Sequence, residues 1–318
     1  MLGALHDDEL PIDVDLVRAL VDRDLPQYSG LPLRPLGASG STNALYRLGE
    51  ELLVRLPRQP GSGAGITKEA RWCHLVGQHL PVDVPEIEAI GEPGFGYPEQ
   101  WSVVRWLEGE VPHVVTRPGV VDPARAGLAR DLAGVVTAIR DVDLPPDALS
   151  DPDLRWYRGD PLALRDAVTR QAVDECSRIE GLGLDLDAVL ACWEEAMTLP
   201  GAGGTSVERW YHGDLLAENL LVRDGHLTAV LDFGGLAVGD PTVDLMVAWE
   251  VLDVASRRTF RESVGADEST WLRGRAWALT IAVNTFPYYW RTMPERCADR
   301  QAIVRAVLHD AGLGPVPG

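Results

Sequence analysis

The residues Tyr211–Leu221 read YHGDLLAENLL, and Asp232 follows thirteen positions after Asn219 in the run VLDFGG. Asp214 stands on a short loop between apolar runs, Asn219 adds a neutral oxygen five positions later, and Asp232 closes a strand-like run. One carboxylate can orient a hydroxyl, while an amide and a second carboxylate can hold Mg²⁺. That set is what phosphoryl transfer from a nucleotide requires.

Upstream of this stretch, Asp13 is positioned to cap a helix over Val14–Arg23 that ends at Pro26. Leu33–Leu36, Ala44–Leu48 and Leu52–Leu56 read as strands, the last two joined by Gly49-Glu50-Glu51 as a hairpin. A Gly-rich loop, Gln59–Gly65, precedes a helix over Ile66–His79 with Glu69, Trp72, Cys73 and Val76 at helical spacing. Glu86–Ile90 and Trp101–Trp106 complete a small mixed lobe. From Leu107 the pattern turns helical, with helices expected over Asp122–Val142, Pro161–Ile179, Leu186–Leu199, Ser269–Tyr289 and Pro294–Ala311. Leu220–Val222 and Thr228–Leu231 form a hairpin around Asp224-Gly225. Asp240-Pro241 is expected to open a further helix, with Asp at the cap and Pro at the first helical position.

Composition narrows the classes. A chain of 318 residues with 46% hydrophobic and 24% charged residues is long enough for a real core. It contains no apolar run of about 18 residues, so no membrane span is expected. Its start lacks the basic and apolar regions of a secretory signal. The four cysteines have no CxxC spacing, which fits reduced thiols in a cytoplasmic protein better than a metal or redox site. A net charge of −19 argues against nucleic acid as a partner, and either favours a cationic small molecule or simply keeps the protein soluble. Lys68 is the only lysine among 29 basic residues, which limits the residues able to contact a phosphate.

The segments His212-Gly213-Asp214 with Asn219, Asp232-Phe233-Gly234, Gly239-Asp240-Pro241 and Asp244-Leu245 together resemble the aminoglycoside phosphotransferase family, distant relatives of protein kinases. The resemblance extends over most of the chain and is strongest in His212–Leu245. It implies an α+β, bilobal, protein-kinase-like fold. Residues 1–105 would be a nucleotide-binding lobe with a small antiparallel sheet and one main helix. Residues 106–318 would be a mostly helical lobe carrying the catalytic loop, metal site and substrate pocket.

The resemblance also implies roles. Asp214 would orient the acceptor hydroxyl, and Asn219 and Asp232 would bind Mg²⁺. His212 would brace the loop, and Asp240 would hydrogen-bond that loop from below besides capping its own helix. Gly37–Asn43 would cover the nucleotide phosphates through Ser39, Gly40, Ser41 and Thr42, although GxxGxxN alone also suits an ordinary turn. In LLVRLPR, Arg55 occupies the place of the kinase lysine. It would contact phosphate and pair with Glu69, with Arg58 the competing candidate and Lys68 poorly placed. Backbone groups at Arg105 and Leu107 would pair with the purine. Trp106 either faces the adenine or packs in the core.

The activity expected from these parts is transfer of the γ-phosphate of ATP or GTP, with Mg²⁺, to a hydroxyl of a small molecule. An aminoglycoside or another antibiotic comes first. Choline, homoserine, methylthioribose or fructosamine kinases, macrolide or hygromycin kinases, and a non-catalytic nucleotide-binding protein are the alternatives. Glu250 and Asp253 either contact a cationic acceptor or lie on a solvated helix face. Phe286–Trp290 either lines a less polar pocket or packs in the core.

Overall fold

The computed structural model describes residues 8–37, 42–117, 119–205 and 207–314. The chain divides into two compact units. The smaller comprises Met1–Gln78, Asp83–Glu108 and Leu231–Gly234, and the larger His79–Val82, Gly109–Val230 and Gly235–Gly318.

The smaller unit is built on five antiparallel strands: β1 (Leu33–Pro35), β2 (Asn43–Leu48), β3 (Leu52–Pro57), β4 (Ile87–Gly91) and β5 (Trp101–Arg105), in the order β1-β2-β3-β5-β4. Pairing of Leu48 with Leu52 across the tight turn fixes the hairpin register, which sets Leu45 opposite Arg55. Helix α1 (Val14–Asp24) starts where the Asp13 carboxylate accepts from the Leu16 amide. It buries Val17, Leu20 and Val21 with Leu48, Val54, Leu56, Trp101 and Val103 of the sheet. Each such fully buried aliphatic chain contributes about 1.5–3 kcal/mol.

Side chains alternate across a strand, so Val54 and Leu56 on one face put Arg55 on the other. Helix α2 (Ala64–Gly77) buries Ile66, Glu69, Trp72, Cys73 and Val76 along one stripe. A charged residue in that stripe needs an opposite charge, which Arg55 provides. The Gly-rich loop before α2 is closed from within: the Gly61 and Gly63 amides donate to the two carboxylate oxygens of Glu99 at 2.8 and 2.9 Å.

The larger unit contains α3 (Arg125–Asp141), α4 (Pro146–Ser150), α5 (Asp166–Cys176), α6 (Leu186–Met197), α7 (Ala248–Val251), α8 (Val254–Val264), α9 (Glu268–Tyr289) and α10 (Pro294–Asp310). Its short strands are β6 (Arg209–Tyr211), β7 (Leu220–Arg223), β8 (His226–Val230) and β9 (Ala237–Gly239), with β6 antiparallel to β9 and β7 to β8. In α3, Leu128, Leu132, Val135, Val136 and Ile139 form a buried stripe at the 3.6-residue period. That stripe packs the helix on α8 and β6.

Two expected helices are broken. The stretch from Pro161 begins as a 3₁₀ turn, Leu162–Arg165, and only Asp166–Cys176 is α-helical. After Asp240 the chain makes a seven-residue 3₁₀ segment, Pro241–Val247, then the single turn α7. Every residue from Thr242 to Leu252 is buried, so tertiary packing rather than amphipathic propensity sets its path.

Candidate active site

In the larger unit, the pairing of β6 with β9 delivers the chain into His212. Asp244, itself fully buried, accepts from the His212 amide at 2.8 Å and from the Gly213 amide at 2.7 Å. Two loop N–H groups thus end on one carboxylate. Gly213 is in the left-handed region at φ +82°, and a Cβ there would lie 2.7 Å from the Trp156 ring. Glycine is the residue this turn can hold. The Asp214 amide donates to His212 Nδ1 at 3.2 Å. His212 is wholly buried and braces the backbone.

A 3₁₀ turn, Ala217–Asn219, then returns Asn219 toward Asp214. The Asn219 Nδ2 donates to the Asp214 carbonyl at 2.8 Å and to its carboxylate Oδ2 at 3.2 Å. The donor end of the amide is therefore committed to Asp214, and its oxygen end is the part that can meet a cation. The other Asp214 oxygen, Oδ1, accepts from Arg158 Nη1, which also donates to the Gly213 carbonyl at 2.7 Å. Burial works to raise the Asp214 pKa, but the charge and hydrogen bond of Arg158 outweigh it. The carboxyl is held below the usual carboxylate range.

In the smaller unit, Arg55 and Glu69 form a bidentate pair, Nη1 to Oε1 at 3.0 Å and Nη2 to Oε2 at 2.9 Å. Arg55 Nε donates to the Ser102 hydroxyl at 3.2 Å. Burial opposes the charge on Arg55, yet Glu69 and Asp232 outweigh it and raise its pKa. Asp232 adopts φ +56°, uncommon outside glycine, and its Oδ1 accepts from the Gly234 amide at 3.3 Å. The Lys68 ammonium donates to the Gly234 carbonyl at 2.6 Å. Arg58 bonds Glu9 and the Asn43 carbonyl.

Ser39, Gly40 and Ser41 lie outside the described residues. Thr42 is exposed, and its carbonyl accepts from the Arg58 amide at 2.9 Å. Arg105 ends β5, and its N–H donates to the Glu86 carbonyl at 3.0 Å, so that donor is already engaged. Leu107 follows in irregular, half-buried backbone. Trp106 is half-buried, with the Arg47 guanidinium 3.7 Å from its ring centre.

Three expectations need correction. Asp240 caps its own turn by accepting from the Thr242 amide, but Asp244 is the residue that braces the His212–Asp214 loop. Neither Glu250 nor Asp253 is on a solvated face or open to an acceptor. Glu250 is 1% exposed and pairs with Arg300 at 2.7 Å, while Asp253 caps α8 and accepts from the Asp122 amide. In Phe286–Trp290, Phe286 is core but Tyr288 is 58% exposed. Arg158 escaped the sequence reading entirely. It lies 56 positions from Asp214 in a segment without a regular pattern, and no local signal marks it.

A Mg²⁺ ion bound to nucleotide phosphates needs only one or two carboxylates, with water and phosphate oxygens completing its shell. No cluster of three or more His, Cys, Asp or Glu side chains suited to a metal occurs among the described residues. Asp232 in the smaller unit offers one such carboxylate, and Asn219 in the larger offers a neutral hard oxygen, each within its own unit.

Residues 33–277 match the phosphotransferase enzyme family, APH. The chain belongs to that family. No curated protein matches it significantly. Among solved structures, the GDP complex of wild-type aminoglycoside 2'-phosphotransferase-IIIa is 18% identical with a TM-score of 0.69, covering 94% of this chain and 100% of the other. ADP-bound aminoglycoside phosphotransferase APH(2'')-Ib is 13% identical with a TM-score of 0.61, covering 93% and 98%. The apoenzyme of macrolide 2'-phosphotransferase MphH from Brachybacterium faecium is 25% identical with a TM-score of 0.59, covering 93% and 98%. The fold is accordingly kinase-like and α+β, with the five-stranded antiparallel sheet in the smaller unit and most helices in the larger.

Proposed function

We propose that this protein moves the γ-phosphate of ATP or GTP to a hydroxyl of a small molecule, with an aminoglycoside or another antibiotic as the first acceptor to test. The observation that carries this reading is the Asp214 carboxylate, bonded to Arg158 on one oxygen and to Asn219 on the other, on a loop braced by Asp244. A loose phosphoryl-transfer transition state asks the protein for positioning and charge more than for early proton removal. Asp214 orients the acceptor hydroxyl and takes its proton late in the transfer. Arg55, kept charged by Glu69, contacts the nucleotide phosphates. Asn219 and Asp232 hold Mg²⁺, which when bound neutralises charge on the phosphates. Ser39, Gly40, Ser41 and Thr42 cover the phosphates, and the backbone at Arg105 and Leu107 meets the purine.

The net charge of −19 favours a cationic acceptor. Structures of relatives hold kanamycin with GDP, and streptomycin with ATP. A macrolide acceptor is the second reading, supported by the 25% identity to MphH over nearly the whole chain. A cytoplasmic setting goes with four free, buried cysteines and with the absence of any described helix long and apolar enough to cross a membrane. The test is ADP or GDP release, with Mg²⁺, across aminoglycosides, macrolides and small amino alcohols. Release with an aminoglycoside supports the first reading, and release with macrolides alone supports the second. Nucleotide binding with no turnover on any of them overturns both.

A further inference from the structure

Arg158 belongs to a three-residue 3₁₀ turn, Tyr157–Gly159, which the larger unit holds on both sides. The Tyr211 hydroxyl donates to the Trp156 carbonyl at 2.9 Å, and the Asp240 amide donates to the Gly159 carbonyl at 3.0 Å. The turn also packs against the catalytic loop at glycines. A Cβ on Gly159 would fall 2.4 Å from the Tyr211 ring, and Cβ atoms on Gly213 and Gly235 would each fall 2.7 Å from the Trp156 ring. Three close approaches and two backbone-anchored bonds therefore fix where Arg158 begins.

Its guanidinium is fixed as well. Nε donates to the Tyr157 hydroxyl at 3.1 Å and Nη1 to the Gly213 carbonyl at 2.7 Å and to Asp214 Oδ1. The rings of Trp156 and Tyr157 flank it at 4.5 and 5.7 Å. Such contacts restrain a cation whose side chain is otherwise rich in rotamers. On the aspartate, one oxygen is engaged by Arg158 and the other by Asn219 at 3.2 Å. A carboxylate bound at both oxygens cannot swing about its terminal torsion without breaking a bond. An oxygen accepting one hydrogen bond keeps a second lone pair for a substrate hydroxyl.

We propose that Arg158 is a positioning residue for Asp214: it clamps one carboxylate oxygen and thereby fixes the direction in which the carboxylate meets the acceptor hydroxyl. This rests on the reading of Asp214 given under the proposed function. A hydroxyl must be aimed in line with the transferred phosphoryl group, so a carboxylate free to turn would lose part of the advantage of orientation. Charge alone does not explain the arrangement, because a distant arginine would also keep Asp214 ionised. The packed Trp156–Gly159 turn adds direction.

The experiment needs no identified acceptor, because water serves as the probe. Phosphate release from Mg·ATP or Mg·GTP is measured for wild type, Arg158→Gln, Arg158→Lys, Asp214→Ala and the Asp214→Ala/Arg158→Gln double variant, with nucleotide Kd from a fluorescent analogue. Arg158→Gln is expected to lower kcat by roughly 10- to 100-fold with an almost unchanged Kd, and Arg158→Lys to recover part of the loss. In the Asp214→Ala background, Arg158→Gln should cost less than about twofold more, because residues acting as a unit are not additive. An equal loss in both backgrounds overturns the proposal, since Arg158 would then act independently of Asp214. Wild-type kcat in Arg158→Gln overturns it too. Wild-type turnover in Asp214→Ala alone removes the underlying reading of Asp214 instead. Should Arg158→Gln fail to fold, Arg158→Lys decides: a kcat equal to wild type sinks the proposal, and a reduced kcat with unchanged Kd upholds it.

Discussion

Each unit contains an arginine–carboxylate pair, buried in the smaller and half-buried in the larger, and the two are built differently. Arg55 and Glu69 meet through two parallel bonds of 3.0 and 2.9 Å, with residue exposures of 8% and 5%. Both carboxylate oxygens accept from the guanidinium, so Glu69 fixes the plane and direction of Arg55. Arg158 gives Asp214 one nitrogen and leaves its other oxygen to Asn219. Here the carboxylate is the group being aimed. Under the proposed function the cation is the working group in the smaller unit, and the anion in the larger. An arginine beside Asp214 makes it a weaker base, which a role in orienting a hydroxyl tolerates.

The largest effect is expected where the carboxylate works. Asp214→Ala should lower kcat by roughly 100- to 10,000-fold with little change in nucleotide Kd, measured by coupled product release and fluorescent-nucleotide titration. Persistent turnover would remove the distinction between the pairs. The corresponding cut in the smaller unit, Arg55→Met, leaves Glu69 buried and unpaired and should cost about 3–5 kcal/mol of stability in urea melts. Adding Glu69→Leu should restore most of that loss, since an apolar pair of similar volume avoids the buried charge. The doubly substituted protein should still raise the nucleotide KM by roughly 10- to 100-fold, the worth of a charged hydrogen bond. A normal KM would show that Arg55 is structural only.

The difference between the pairs also explains what the amino-acid sequence discloses. Arg55 is legible because strand alternation and helix spacing fix its face and that of Glu69 within a short span. The hairpin of β2 and β3, the stripe of α3 and the loop around Asp214 are legible for the same local reason. Arg158 meets Asp214 only through the packing of Trp156 on glycines far away in the chain. Asp240 and Asp244 are four positions apart in one segment, and only the buried 3₁₀ path after Pro241 decides that Asp244 reaches the loop at His212 and Gly213. Glu250 looks like a solvated residue until α10 brings Arg300 against it.

That third pair sharpens the comparison. Arg300 bonds Glu250 through one nitrogen at 2.7 Å, as Arg158 does Asp214, yet both partners are buried and Glu250 Oε2 has no hydrogen-bond partner. A single bond to arginine therefore does not define a reacting carboxylate. Burial pushes the Glu250 pKa up from 4.5 to about 7 against the pull of Arg300. The folded protein then holds a proton that the unfolded chain has released between these values. The contribution to stability is full below pH 4.5 and is lost as pH rises through about 7. Unfolding free energies at pH 5 and pH 8 should differ by about 2–3 kcal/mol less in Glu250→Gln than in wild type. An unchanged difference would assign the slope to other groups.

Arg58 provides the smallest effect and the control for Arg55. It sits three positions along the same chain, so a phosphate role for either residue predicts a similar loss in a simple affinity assay. Their surroundings differ. Arg58 bonds Glu9 and the Asn43 carbonyl, its amide donates to Thr42, and its carbonyl accepts from Leu10 at 2.7 Å. These contacts tie the segment before α1 to the start of β2, and the pair remains partly exposed. Arg58→Ala should therefore cost about 1 kcal/mol of stability. It should leave the nucleotide KM within about twofold of wild type, because no interaction that strengthens on nucleotide binding is lost. A tenfold rise in KM in Arg58→Ala, with none in the Arg55 variants, would transfer the phosphate contact to Arg58. The bidentate pair on β3 and α2 would then be a brace between sheet and helix.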